Sequence, residues 1–105
     1  MPYVTMNRIY ISADYAEQFE QRFRDRAGLV DKVPGFIRNM VLRPDSEDTP
    51  YVVMTLWETK EAFTGWVGSD AFRQAHSGRA RFPDEAYPKP GKIETFETAL
   101  DTQAK

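Results

Sequence analysis

The sequence predicts an α+β fold with the element order β-α-β-β-α-β. Three observations carry it. Residues 3–12, 36–42, 51–57 and 93–100 are short segments rich in β-forming residues. The stretches after the first and third of these repeat apolar residues at helical spacing. Only a polar stretch, residues 43–50, separates the second segment from the third, and it suits a hairpin loop. A four-stranded antiparallel sheet with both helices on one face satisfies this order, the ferredoxin-like arrangement.

Residues 3–12 alternate as a strand does. Thr5, Asn7, Ile9 and Ile11 share one face, and Val4, Met6 and Tyr10 share the other. Both faces carry apolar residues, as expected of a strand covered on both sides. Asp14 is placed to open the first helix, with Glu17 three residues on as in a capping box. Ala16, Phe19, Phe23, Ala27 and Val30 form its apolar stripe, and Arg22 and Arg26 border that stripe. Pro34-Gly35 breaks the chain before the second strand. Thr59 can cap a second helix through Phe63, Trp66 and Val67. Gly68 interrupts it, and Ser69 can cap a further helix through Phe72, Ala75, His76 and Ala80. Residues 82–91 hold Pro83, Pro88 and Pro90 and read as an irregular loop, and the last five residues as a frayed end.

At 105 residues the chain is the size of one domain, expected to span 1–105. Helices on one face leave the other sheet face bare in a chain this small. A second copy can cover that face and remove exposed edges, so the expected assembly is a homodimeric α/β barrel. A net charge of −2 argues against nucleic acid or an anionic membrane as the main partner. Without cysteine there are no disulfides, iron–sulfur clusters or thiol catalysis. No secretion signal and no apolar run of membrane length are visible, so the expected compartment is the cytoplasm.

Few residues can carry chemistry. His76 is the only histidine, either a partly exposed helix residue or an axial ligand to haem iron. Phe72 one turn before it and Ala80 one turn after place it beside an apolar helix face. Asn7 sits on a strand face with Ile9 and Ile11, where an amide needs partners: the backbone, or a bound ligand. Trp66 is either core or a bulky wall against a ring system. Arg22 and Arg26, one turn apart, are solvated helix arginines or a pair meeting the carboxylates of an acidic ligand. The acidic residues are scattered and read as solvated faces. Metal-site spacings, a nucleophile elbow, a phosphate loop and a dinucleotide fingerprint are all missing from the sequence.

The segments Asn7 to Ile9, Glu20 to Arg26, Gly35-Phe36 and above all Ala62 to His76 resemble the bacterial IsdG-type haem-degrading monooxygenases. These lie within the wider antibiotic-biosynthesis monooxygenase domain family. The likeness runs over roughly residues 5 to 100, and Ala62 to His76 carries tryptophan, Ser-Asp and Ala-His in the family's order and spacing. The resemblance implies that Asn7, Trp66 and His76 form the functional set and that haem is both cofactor and substrate. His76 would hold the iron, Asn7 would hydrogen-bond the reacting oxygen, and Trp66 would press the macrocycle out of plane. Phe23 would line the pocket, and Arg22 or Arg26 would meet a propionate. Electrons would come from a separate reductase or small reductant. The match is weaker over residues 82–91. Two alternatives stay open: a cofactor-free oxygenase of a phenolic or quinol substrate, and a haem carrier or sensor without turnover.

Overall fold

The computed structural model describes residues 1–70, 72 and 82–104, the side chains of residues 27–29 excepted. The expected β-α-β-β-α-β order is present: β1 (Tyr3–Ile9), α1 (Ala16–Val30), β2 (Phe36–Leu42), β3 (Tyr51–Trp57), α2 (Lys60–Val67) and β4 (Lys92–Glu97). The strands form one antiparallel sheet in the order β2-β3-β1-β4, the ferredoxin-like topology.

Register decides what each face carries. Tyr3 stands opposite Trp57, Thr5 opposite Thr55, Asn7 opposite Val53 and Ile9 opposite Tyr51. Side chains alternate along a strand, so these residues share one face. That face packs on the helices through Tyr3 and Phe63 (ring centroids 6.0 Å apart), Trp57 and Phe63 (5.9 Å) and Phe19 and Tyr51 (4.7 Å). The opposite face presents Val4, Met6, Met40, Leu42, Val52, Met54, Leu56 and Phe96 around an Arg8–Glu94 ion pair. None of these residues belongs to the buried core, and Leu42 and Phe96 are exposed.

Among the described residues the buried core falls into two clusters. Tyr3, Trp57 and Trp66 are buried with Val30, Phe36, Phe63 and Phe72 against them. Phe19, Tyr51, Phe82 and Ala86 form a second cluster with Ile9, Phe23 and Tyr87.

The element ends depart from expectation in three places. β1 stops at Ile9, not Ser12, and residues 13–15 form a 3-10 turn in which the Tyr15 N–H donates to Ser12 O at 3.0 Å. Asp14 lies inside that turn, so α1 starts at Ala16 without a side-chain cap and the capping box does not form. β4 spans 92–97: Thr98 still donates its N–H and hydroxyl to Pro2 O at 3.2 and 2.7 Å, but Pro2 has no N–H to return the bond. Other local signals act as expected. Thr59 Oγ1 accepts the Ala62 N–H at 3.1 Å and starts α2. Gly68 ends α2, and Ser69 Oγ accepts the Phe72 N–H at 3.1 Å. Most of the helix expected to follow lies outside the described residues. Gly35 adopts φ +81°, and a Cβ there would collide with Ala62, so the breaker allows both the turn and the close approach of α2. Residues 82–91 are irregular apart from a 3-10 turn at Asp84–Ala86.

Candidate functional site

A cavity of about 700 Å³ separates the two halves of the core, between the helix-facing side of the sheet and the helices. β1 and β3 supply its floor with Thr5, Asn7, Ile9, Val53, Thr55 and Trp57. α1 contributes Phe19, Arg22, Phe23 and Arg26, and α2 contributes Phe63 and Trp66. Phe72 and Phe82 close it further.

Five of the residues singled out in the sequence meet here: Asn7, Arg22, Phe23, Arg26 and Trp66. His76 lies outside the described residues. Asn7 is central, paired across β1 with Val53 on one side and Ile93 on the other. Trp66 is both core and wall. It is 9% exposed, lies 6.5 Å from the Trp57 ring and meets the Phe72 ring nearly perpendicularly at 5.4 Å. The helical repeat brings Arg22 and Arg26 to the same wall, one turn apart. The Arg22 guanidinium lies 3.8 Å over the Phe82 ring, and that of Arg26 lies 5.5 Å from the Phe23 ring. A guanidinium stacked in this way can bind a carboxylate side-on through its planar edge.

Glu20 is not a solvated acid. Its side chain is 15% exposed, and both carboxylate oxygens are occupied. Arg43 donates to them from Nε at 2.7 Å and from an η nitrogen at 2.6 Å, and the Tyr51 hydroxyl donates at 2.5 Å. Arg43, then Tyr51, holds the Glu20 carboxyl down at about 2. Burial, then the Glu20 carboxylate, pushes the Tyr51 phenol up. This clamp ties α1 to the start of β3 and so fixes Phe19, the neighbour of Glu20, at the cavity wall. Among the described residues no cluster of three or more histidine, cysteine or acidic side chains could hold a metal. No described helix is long and apolar enough to cross a membrane.

The profile of the antibiotic biosynthesis monooxygenase family matches residues 2–78. The chain belongs to that family. It is 39% identical over 101 residues to a mycobilin-producing haem oxygenase of Mycobacterium tuberculosis, covering 96% of this chain and 92% of the relative. It is 34% identical over 88 residues to a staphylobilin-producing haem oxygenase of Staphylococcus haemolyticus, covering 82% and 84%. The solved structure of the haem degrader MhuD from M. tuberculosis, with two haems in its active site, superposes with a TM-score of 0.78 at 34% identity. That superposition covers 97% of this chain and 100% of that one.

Sequence reasoning misses several residues of this monooxygenase-family cavity. Thr5 and Thr55 read as ordinary strand formers, although Thr5 shares the Asn7 face. Trp57 reads as β-prone, yet its indole N–H is buried with no hydrogen-bond partner among the described residues. Phe82 gives no signal, since nothing local tells that Arg22 will stack on it.

Proposed function

We propose that this chain is a haem-degrading monooxygenase working as a single domain, residues 1–105, paired into a homodimeric α/β barrel. One observation carries the reading: an apolar cavity that gathers Asn7, Trp66 and two arginines. Its volume of about 700 Å³ lies within the range of roughly 300–1,000 Å³ usual for small-molecule sites. Haem is flat and apolar with two carboxylates at one edge. The phenylalanine and tryptophan walls fit its faces, and Arg22 and Arg26 fit its carboxylates. Relatives at 39% and 34% identity named as haem oxygenases support the same chemistry.

When bound, haem supplies both the ring to be opened and the iron that activates oxygen. The protein holds and orients it. Arg22 and Arg26 anchor the acidic edge, and Phe23 packs on the macrocycle beside them. Trp66, backed by Trp57 and Phe72, would be a rigid wall pressed against the bound ring. Asn7 would hold a hydrogen-bond donor at the cavity floor, placed to orient oxygen reacting at the bound haem. His76, the only histidine, is the proposed ligand to iron. Electrons come from a separate reductase or a small reductant. The apolar sheet face of Val4, Met6, Met40, Met54, Leu56 and Phe96 is the proposed dimer interface.

Titrating the purified protein with haem, then adding ascorbate in air, tests this reading. A saturable Soret band that disappears only after the reductant is expected, with the spectrum of the complex altered in His76→Ala. Absence of saturable binding contradicts the function, and a Soret band that survives reductant and air makes the protein a carrier. An unaltered spectrum in His76→Ala removes that residue as ligand.

A further inference from the structure

One rung of the sheet is polar from edge to edge. Asn39 on β2 stands opposite Thr55 on β3, Thr55 opposite Thr5 on β1, and Thr5 opposite Thr95 on β4. All four lie on the helix-facing side, where the next rung carries Val41, Val53, Asn7 and Ile93. Asn39, Thr55 and Thr5 line the cavity beside Asn7.

The hydrogen bonds along this rung have a direction. Asn39 Nδ2 donates to Thr55 Oγ1 at 2.8 Å. A hydroxyl carries one proton and two lone pairs, so an occupied acceptor side leaves the Thr55 proton to be given elsewhere. Thr5 is only 8% exposed, and its hydroxyl makes no hydrogen bond among the described residues. Thr5 lines the cavity, so its hydroxyl can donate to a partner there.

Intact haem offers these groups little. Its only oxygens are the two carboxylates, which the arginines on α1 take. Oxidative opening changes this, because it leaves carbonyl oxygens where the ring was cut. We propose that Thr5 and Thr55, the latter oriented by Asn39, form a donor subsite for the carbonyl oxygens of the ring-opened tetrapyrrole. The inference rests on the haem-degrading reading. The floor beside Asn7 then also holds the product at the place where the ring was opened.

Biliverdin, a linear tetrapyrrole with terminal carbonyls, is the probe. Trp57 and Trp66, the only tryptophans, both line the cavity, so quenching of their fluorescence reports its occupancy. Thr5→Val and Thr55→Val keep the β-branched shape and remove the hydroxyl. Each is expected to weaken biliverdin binding about two- to tenfold while leaving haem binding within a factor of about two. Thr55→Ser, which keeps the hydroxyl, is expected to bind biliverdin as wild type does. Unchanged biliverdin affinity in both valine variants overturns the proposal, and so does an equal loss for haem and biliverdin. Should wild type bind biliverdin with the expected variant pattern but not haem, the haem-degrading reading fails and the donor subsite stands. Binding of neither probe to wild type overturns both.

Discussion

Tyr51→Phe removes a single oxygen and keeps the ring. Its packing on Phe19 at 4.7 Å should therefore survive, and only the hydrogen bond to Glu20 is lost. A hydrogen bond to a charged group is typically worth about 1.5–3 kcal/mol. Here Glu20 keeps both Arg43 donors and is 15% exposed, so water replaces part of the loss. The expected destabilisation is thus about 1–2 kcal/mol, well above the roughly 0.5 kcal/mol of an indifferent surface change. Urea unfolding at fixed protein concentration reads it, with the slope unchanged. The pH dependence follows from the sign of the shift. Glu20 is held at about 2, against about 4.3 for an unpaired glutamate in the unfolded chain. A depressed carboxyl contributes stability above the unfolded value and loses it as pH falls from about 4.3 towards 2. Without Tyr51 the depression is smaller. The gap between wild type and variant should stay constant from neutral pH down to about pH 5 and shrink by pH 3. A gap under about 0.5 kcal/mol at pH 7, or one that persists undiminished at pH 3, would refute the clamp.

Asn7→Ala should keep haem affinity within a few fold and slow ring opening by about 10²–10³, the usual effect of losing one donor at a charge-developing centre. Single-turnover absorbance in ascorbate checks it, and wild-type turnover returns Asn7 to a purely structural role. Trp66→Phe should stay folded and bind haem but turn over more slowly with a flatter macrocycle. Resonance Raman of the bound haem reports that planarity, and unchanged distortion with unchanged rate makes Trp66 a core residue alone. Met54→Asp puts a charge at the centre of the bare sheet face, opposite Met6 and Met40. Sedimentation should then show a wild-type dimer and a monomeric variant, while a monomeric wild type at micromolar concentration dismisses the barrel.

Local signals are legible in the sequence where they are strong. β2 and β3 fall on residues 36–42 and 51–57 as expected, because a glycine turn and a polar loop bound them. The period of α1 brings Arg22, Phe23 and Arg26 to one wall, which a single-element pattern can show. The start of α1 is not where its cap signal puts it. Asp14 and Glu17 have capping-box spacing, but the 3-10 turn after Ser12 takes the place of that cap. The hydroxyl rung and the Glu20 clamp are not legible, since both join residues from different elements. Thr5 and Thr55 become a pair only once the β1–β3 register is known. Glu20 loses its solvated look only when Arg43 and Tyr51 close on it from 23 and 31 residues away.

The measurement closest to the central claim is mass spectrometry of the tetrapyrrole recovered after one turnover under ¹⁸O₂, with released iron captured by a ferrous chelator. A haem-degrading monooxygenase yields an iron-free, ring-opened product carrying ¹⁸O and about one equivalent of chelated iron per haem, a stoichiometry set by the single iron of haem. Recovery of intact haem, or of an opened ring without label, would contradict it.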